Sequence, residues 1–139
     1  MKVGSWCFAF ALFALLVVGV CFAYVIRGTT VIGDFVSPDG AHDAMLMVRD
    51  GGAVTGYVTG ISLLPHNSLA RHLAFMRGIN LFVVDDNEGA VRWRDRGQLE
   101  VKISWVSNTQ LLVQYPAKAR VFKQEASYQS MTVRYEASP

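Results

Sequence analysis

Between Val3 and Ile26 the chain carries no charged side chain. At about 1.5 Å of rise per residue, a helix over that run reaches across a hydrocarbon core of roughly 30 Å. A segment this long and this apolar has to be covered by lipid or removed. Lys2 precedes it and Arg27 follows it. The slight basic bias at the front favours an N-terminus in the cytoplasm and everything after Arg27 outside. The reading is a single-pass anchor over residues 1–27, with the C-terminal part outside the cytoplasm. A cleaved secretory signal is the alternative, because Cys21-Phe22-Ala23 offers small residues spaced for a cut after Ala23. The continuation of the run through Tyr24, Val25 and Ile26 favours the anchor. Val20 before Cys21 is a poor residue ahead of a lipidated cysteine, which disfavours a lipoprotein. All three readings export the rest of the chain.

That exported part is bounded by what it lacks. Both cysteines, Cys7 and Cys21, lie inside the apolar run. The remainder therefore has no disulfide framework and no cysteine metal site. With Lys2 and Arg27 set aside, the eleven Asp and Glu are matched by as many Lys and Arg, so the remainder is formally neutral. Nucleic-acid binding rests on excess basic charge, so that class of partner is excluded. Arg92, Arg94 and Arg96 alternate, but Asp95 interrupts them, and they read as a solvated strand or turn edge.

Residues 28–36 read as a linker and residues 37–139 as one domain. Ser37-Pro38-Asp39-Gly40 suits a type I turn, with Pro second and Gly fourth. Ala44 to Val48 follows as a strand apolar on both faces, with Met45 and Met47 opposite Ala44, Leu46 and Val48. A strand of that kind lies inside a sheet with both faces covered. Residues 54–64 are expected to pair back on it. Within residues 66–78, Asn67 or Ser68 suits the cap of a short helix with Leu69, Leu73 and Met76 on one stripe, closed by Gly78. Further strands are expected over Ile79–Val84, Leu99–Trp105, Leu111–Tyr115, Arg120–Phe122 and Met131–Tyr135. About six or seven strands with one short helix make the domain mostly β, a small antiparallel sandwich or partly open barrel.

The stretch Arg49-Asp50-Gly51-Gly52-Ala53-Val54-Thr55-Gly56 is the nearest approach to a ligand loop. A phosphate loop wants Lys and then Ser or Thr after the second glycine, and Tyr57 and Val58 stand there instead. The charge for the phosphates and the hydroxyl for magnesium are both missing. The β reading accounts for more: Asp50-Gly51-Gly52 is a tight turn, and Gly56 and Gly60 lie on one strand face with Val58. Two bare positions make a shallow strip, to be filled by an aromatic ring of the domain, such as Trp93 or Trp105, or by a partner. Gly56, Tyr57, Val58 and Gly60, with Leu69 and Leu73 beside them, form the expected interaction surface.

Nothing in the sequence asks for a cofactor, a metal or a catalytic set. Asp85-Asp86-Asn87-Glu88-Gly89 places glycine where a calcium ligand belongs, and no flanking helices accompany it. His42, His66 and His72 lack a metal-binding spacing, and no nucleophile elbow is present. His66 and His72 are expected to be exposed.

The motifs "SPDG", "VRDGGAVTGYVTGISLLP", "NLFVVDD", "VKISW", "ARVF" and "VRYE", in that order, resemble a group of small bacterial envelope proteins with an N-terminal signal or anchor. The resemblance covers roughly residues 37–136. It implies an envelope location and a single β domain, and it implies no activity. A cysteine beside the "DGGA" glycine in that group is replaced here by Gly51-Gly52, so no thiol role carries over. The expected function is a membrane-anchored binding module for another envelope protein or component. An immunity protein against a periplasm-delivered toxin is the alternative. A hydrolase pairing His42 with Asp43 or Asp39 is a third reading without motif support.

Overall fold

A computed structural model of the chain describes residues 3–52, 56–66, 79 and 81–139, with side chains in the first helix described from residue 9 to residue 21. Helix α1 (Val3–Arg27) leads straight into strand β1 (Thr29–Val36). Then follow β2 (His42–Asp50), β3 (Tyr57–Pro65), β4 (Phe82–Asp85), β5 (Lys102–Ser107), β6 (Gln110–Pro116), β7 (Arg120–Gln124), β8 (Ser127–Tyr128) and β9 (Met131–Ser138). The protein is mostly β. One sheet has the order β1-β2-β3-β4-β7, the other β5-β6-β9-β8.

The two sheets enclose the main core. Ala44, Leu46, Ile61, Leu63, Phe82 and Val84 come from the first; Ile103, Leu111, Val113, Met131 and Val133 come from the second. Phe82 touches both Tyr115 and Tyr135 of the second sheet, with ring centroids 5.2 and 5.3 Å away. The Trp105 indole N–H donates to the Phe35 carbonyl at 2.9 Å and closes the seam between β1 and β5. The expected two-sided burial of β2 is what the fold uses. Ala44 and Leu46 face the main core, while Met45 and Met47 join Leu64 and Ile79 in a second cluster on the opposite side.

Four features depart from the sequence reading. Residues 28–36 are not a linker, because 29–36 form edge strand β1, paired in register from Thr29↔Arg49 to Val36↔Asp43 with a shift between Val31 and Gly33. Gly33 and Asp34 are poor strand formers, and only the neighbouring β2 backbone supplies the reason to extend. The sheets are not wholly antiparallel, since β6 and β9 run parallel. β7 leaves for the edge of the other sheet, and β9 re-enters beside β6 in the same direction, as a crossover permits and a hairpin does not. The third strand begins at Phe82 rather than Ile79, because Ile79 is spent on the second cluster. The short strand β8 had no periodic signal to announce it.

The expected helix over 66–78, with Leu69 and Leu73, lies outside the described residues. Among the described residues no helix is long and apolar enough to cross a membrane, so the anchor reading of residues 1–27 gains no support from the fold.

Candidate functional site

The glycine stretch resolves into a turn and one packed position. Asp50 pairs with Tyr57 at the end of the β2–β3 ladder. The turn is wider than a two-residue hairpin: Gly51 N–H donates to Gly56 O at 2.8 Å and Gly56 N–H to Gly52 O at 3.1 Å. The Asp50 carboxylate accepts from the Gly52 N–H at 2.8 Å. Gly52 and Gly56 both have positive φ, 81° and 64°. Gly56 therefore serves the turn and is not a bare position on the strand. Gly60 is buried in β3, where an added Cβ would lie 2.4 Å from Ile79 Cδ1 and 2.9 Å from the Phe82 carbonyl oxygen. The expected open strip is corrected on both counts, and its filler is Ile79 rather than Trp93 or Trp105. Val58 is half-buried beside it.

Tyr57 stays accessible, 44% exposed, and its position leads to a site that the sequence reading did not assemble. Its ring meets Trp93 edge-on, centroids 6.0 Å apart at 67°. The segment between β4 and β5 carries Trp93 and is held at three points. The Trp93 indole N–H donates to Asp86 Oδ2 at 3.0 Å. The Arg94 N–H donates to Gln98 O at 2.7 Å. The Leu99 N–H donates to the buried Thr59 hydroxyl at 2.9 Å. An aromatic wall is thereby fixed although the segment has no regular structure.

Behind that wall lies an open cleft of about 420 Å³, lined by Trp93, Arg92, Arg94, Glu100, Lys102 and Gln114 with Val91, Pro116, Ser138 and Pro139. Three cations and one carboxylate are among the lining residues. Arg94 pairs with Glu100 at 2.6 Å, and Lys102 approaches the same group at 3.8 Å. The hydrogen bond from Arg94 holds the Glu100 carboxyl below its ordinary 4.5. A carboxyl lowered on folding contributes fully above its unfolded value and loses that contribution as pH falls through the lower folded value. The Arg94–Glu100 tie is thus expected to survive acidification past pH 4.5 and to open only below it, seen as a late carboxyl titration of Glu100 by NMR.

All three arginines are exposed, but Arg92 and Arg94 also line the cleft, whereas Arg96 does not. The available signal was the Arg-Trp-Arg run followed by an acid six residues after Arg94, but the pairing needs the loop to turn back through Gln98.

The acidic turn after β4 is consumed structurally. Asp85 is buried and receives Arg120 on both oxygens, the shortest contact at 2.6 Å, while the Asn87 N–H donates to it at 2.9 Å. The Asp85 hydrogen bonds raise the Arg120 pKa. Glu88 also meets Arg120 at 3.4 Å. No group of three or more potential metal ligands occurs among the described residues.

At the other end of β3 the structure joins a pair that the sequence reading kept apart. His66 Nδ1 lies 2.7 Å from Asp43 Oδ1, with the Asp43 side chain fully buried and His66 a quarter exposed. His66 is therefore not a free surface residue. An ionised carboxylate only accepts, so in this contact Nδ1 is the donor. His42 does not join Asp43 or Asp39 through its ring: its Nδ1 is buried without a partner among the described residues, and its backbone N–H donates to Ser37 Oγ. Asp39 instead accepts from the Ser37 hydroxyl at 2.6 Å, which lowers its pKa. His72 lies outside the described residues.

Thr59→Val tests the loop anchoring. It removes the acceptor for the buried Leu99 N–H at nearly constant volume, and a loss of about 1–3 kcal/mol is expected in denaturant unfolding, with faster amide exchange across residues 91–99.

The chain matches no family model, no curated protein and no solved structure.

Proposed function

We propose that the chain is a membrane-tethered binding module of a bacterial envelope, its β domain on the outer side of the inner membrane, and that the Trp93 cleft takes an anionic envelope component. The observation that carries the reading is the cleft itself: an aromatic wall pinned by Asp86 and Thr59, and a lining in which Arg92, Arg94 and Lys102 outnumber the single acid Glu100. Its lining joins an aromatic ring to basic side chains, the combination that recognition of an anionic group uses. The tether rests on the uncharged run from Val3 to Ile26. Among the apolar side chains described in α1, Phe10, Phe13, Leu15 and Leu16 are at least 65% exposed and ask for a nonaqueous cover.

A photo-crosslinking residue at Tyr57 tests the site in intact envelopes. A discrete product is expected, and it is expected to vanish in the Arg92→Glu, Lys102→Glu double variant. An equal yield in that variant, or from a crosslinker at exposed Thr132 on the second sheet, removes the cleft as the site. The tether has its own measurement. The mature N-terminus determined by mass spectrometry is expected to retain residues 3–26, and a chain starting at Tyr24 establishes cleavage instead.

A hydrolase is the second reading, favoured by the Asp43–His66 contact, which supplies an oriented imidazole, without a hydroxyl on its ring among the described residues. His66→Gln is expected to leave turnover of activated ester substrates at background. Activity that His66→Gln abolishes would establish the hydrolase.

A further inference from the structure

The path from α1 into the sheet fixes which end of the β domain lies nearest the bilayer. No free linker separates them. Gly28 is followed at once by β1, and the Asp50 N–H donates to the Gly28 carbonyl at 2.7 Å. Asp50 pairs with Tyr57, and Tyr57 meets Trp93 at 6.0 Å. Each step is about the width of one strand pair, roughly 5 Å. The Tyr57–Trp93 end is thus held within about 15–20 Å of the point where the helix gives way to the sheet, and head groups extend beyond the hydrocarbon core by about 5–8 Å on each side. The His66–Asp43 end lies a full strand length away, since β3 runs from Tyr57 to Pro65.

The near end has the composition of an interfacial face. Tyr57 and Trp93 are amphipathic rings of the kind that settle at head-group level. Arg92 and Arg96 are exposed and make no ion pair among the described residues. Most acids of this end are already engaged. Asp86 accepts from Trp93, Asp50 from Gly52, and Glu100 from Arg94; Asp95 alone opposes the two arginines.

We propose that this end of the domain rests on the membrane that holds α1, with Tyr57 and Trp93 at head-group depth and Arg92 and Arg96 on the phosphates of anionic lipids. The proposal depends on the membrane-tether reading above and names anionic lipid as the occupant of that end. The cleft then opens along the bilayer surface and samples only what lies in the head-group layer.

The test uses the full chain in nanodiscs of phosphatidylcholine alone and of an equal mixture of phosphatidylcholine and phosphatidylglycerol, read by amide hydrogen exchange. In the anionic discs, exchange over residues 91–98 is expected to slow about tenfold relative to the neutral discs. Arg92→Glu, Arg96→Glu is expected to erase that difference while the chain stays in the disc. Equal exchange in both discs, with the chain incorporated, overturns lipid docking and leaves the tether intact. Failure of the chain to co-purify with discs overturns the tether and lipid docking together. Protection that appears in native envelope vesicles but in neither disc assigns the surface to a protein and overturns the lipid proposal.

Discussion

Gly60→Val is expected to unfold the β domain. The new Cβ would meet Ile79 Cδ1 and Cγ2 at 2.4 and 2.5 Å and the Phe82 carbonyl oxygen at 2.9 Å. A side chain can rotate away, but that carbonyl belongs to the strand paired with β3 through Gly60↔Val83. Relief therefore means parting the β3–β4 ladder. Gly60→Ala should cost about 1–3 kcal/mol by overpacking, and the two further methyls of Val should raise the loss beyond about 3 kcal/mol. Set against a domain stability of about 5–15 kcal/mol, that is a large share. Gly56→Val is the informative contrast. Among the described residues nothing lies within 4 Å of its added Cβ, and its cost comes from a φ of 64°. A penalty of about 1–2 kcal/mol is expected, and Gly56→Asn should recover most of it. Denaturant midpoints for the series decide the matter. An unchanged midpoint for Gly60→Val would mean that Ile79 does not sit over Gly60.

Phe82→Ala is expected to be as damaging by the opposite route. Phe82 is fully buried and is the largest such side chain among the described residues. It belongs to the first sheet, yet its ring contacts are Tyr115 on β6 and Tyr135 on β9, so it ties the parallel pair to the opposite layer. Truncation leaves a cavity between sheets and should cost about 3–5 kcal/mol. A second observable follows. Burial raises the Tyr135 hydroxyl above its ordinary 10, with Glu125 opposing its ionisation as well. A group raised on folding contributes stability in full below its unfolded value and loses it as pH rises through the folded one. Stability is therefore expected to decline with Tyr135 ionisation only above pH 10. In Phe82→Ala, absorbance titration is expected to show Tyr135 moving back towards 10 as water reaches the ring. A Tyr135 titration identical to that of the parent protein would mean that the Phe82 ring does not shield it.

These predictions separate what was legible from what was not. The two-faced apolar run of β2 announced a central strand, and burial on both sides is what the structure shows. Strands β6 and β9 were readable because alternation along a half-buried strand is a local property; β5 was readable only in part, since it begins at Lys102 and the alternating Leu99 and Val101 lie in the irregular segment before it. Strand β1 was not, since Gly33 and Asp34 argue against extension and only pairing with β2 overrules them. The site was least legible. Tyr57 was singled out for its place beside glycines, but the residues that matter next to it are 36 positions on in the case of Trp93, and further for Lys102 and Gln114. Their meeting depends on loop bonds from Asp86, Gln98 and Thr59, none of which leaves a periodic trace.

By itself the sequence determined the uncharged apolar run from Val3 to Ile26, the neutral cysteine-free remainder, the turn chemistry of Ser37–Gly40 and Asp50–Gly52, and a mostly β domain. Each of these follows from hydropathy, charge or backbone freedom over a few neighbouring residues. The tertiary structure alone decided that Gly60 is a packing position under Ile79, that β6 and β9 run parallel, that Asp43 holds His66, and that Trp93 and three cations share one cleft. Those outcomes are set by contacts between segments far apart in the chain, whose energies local patterns do not record.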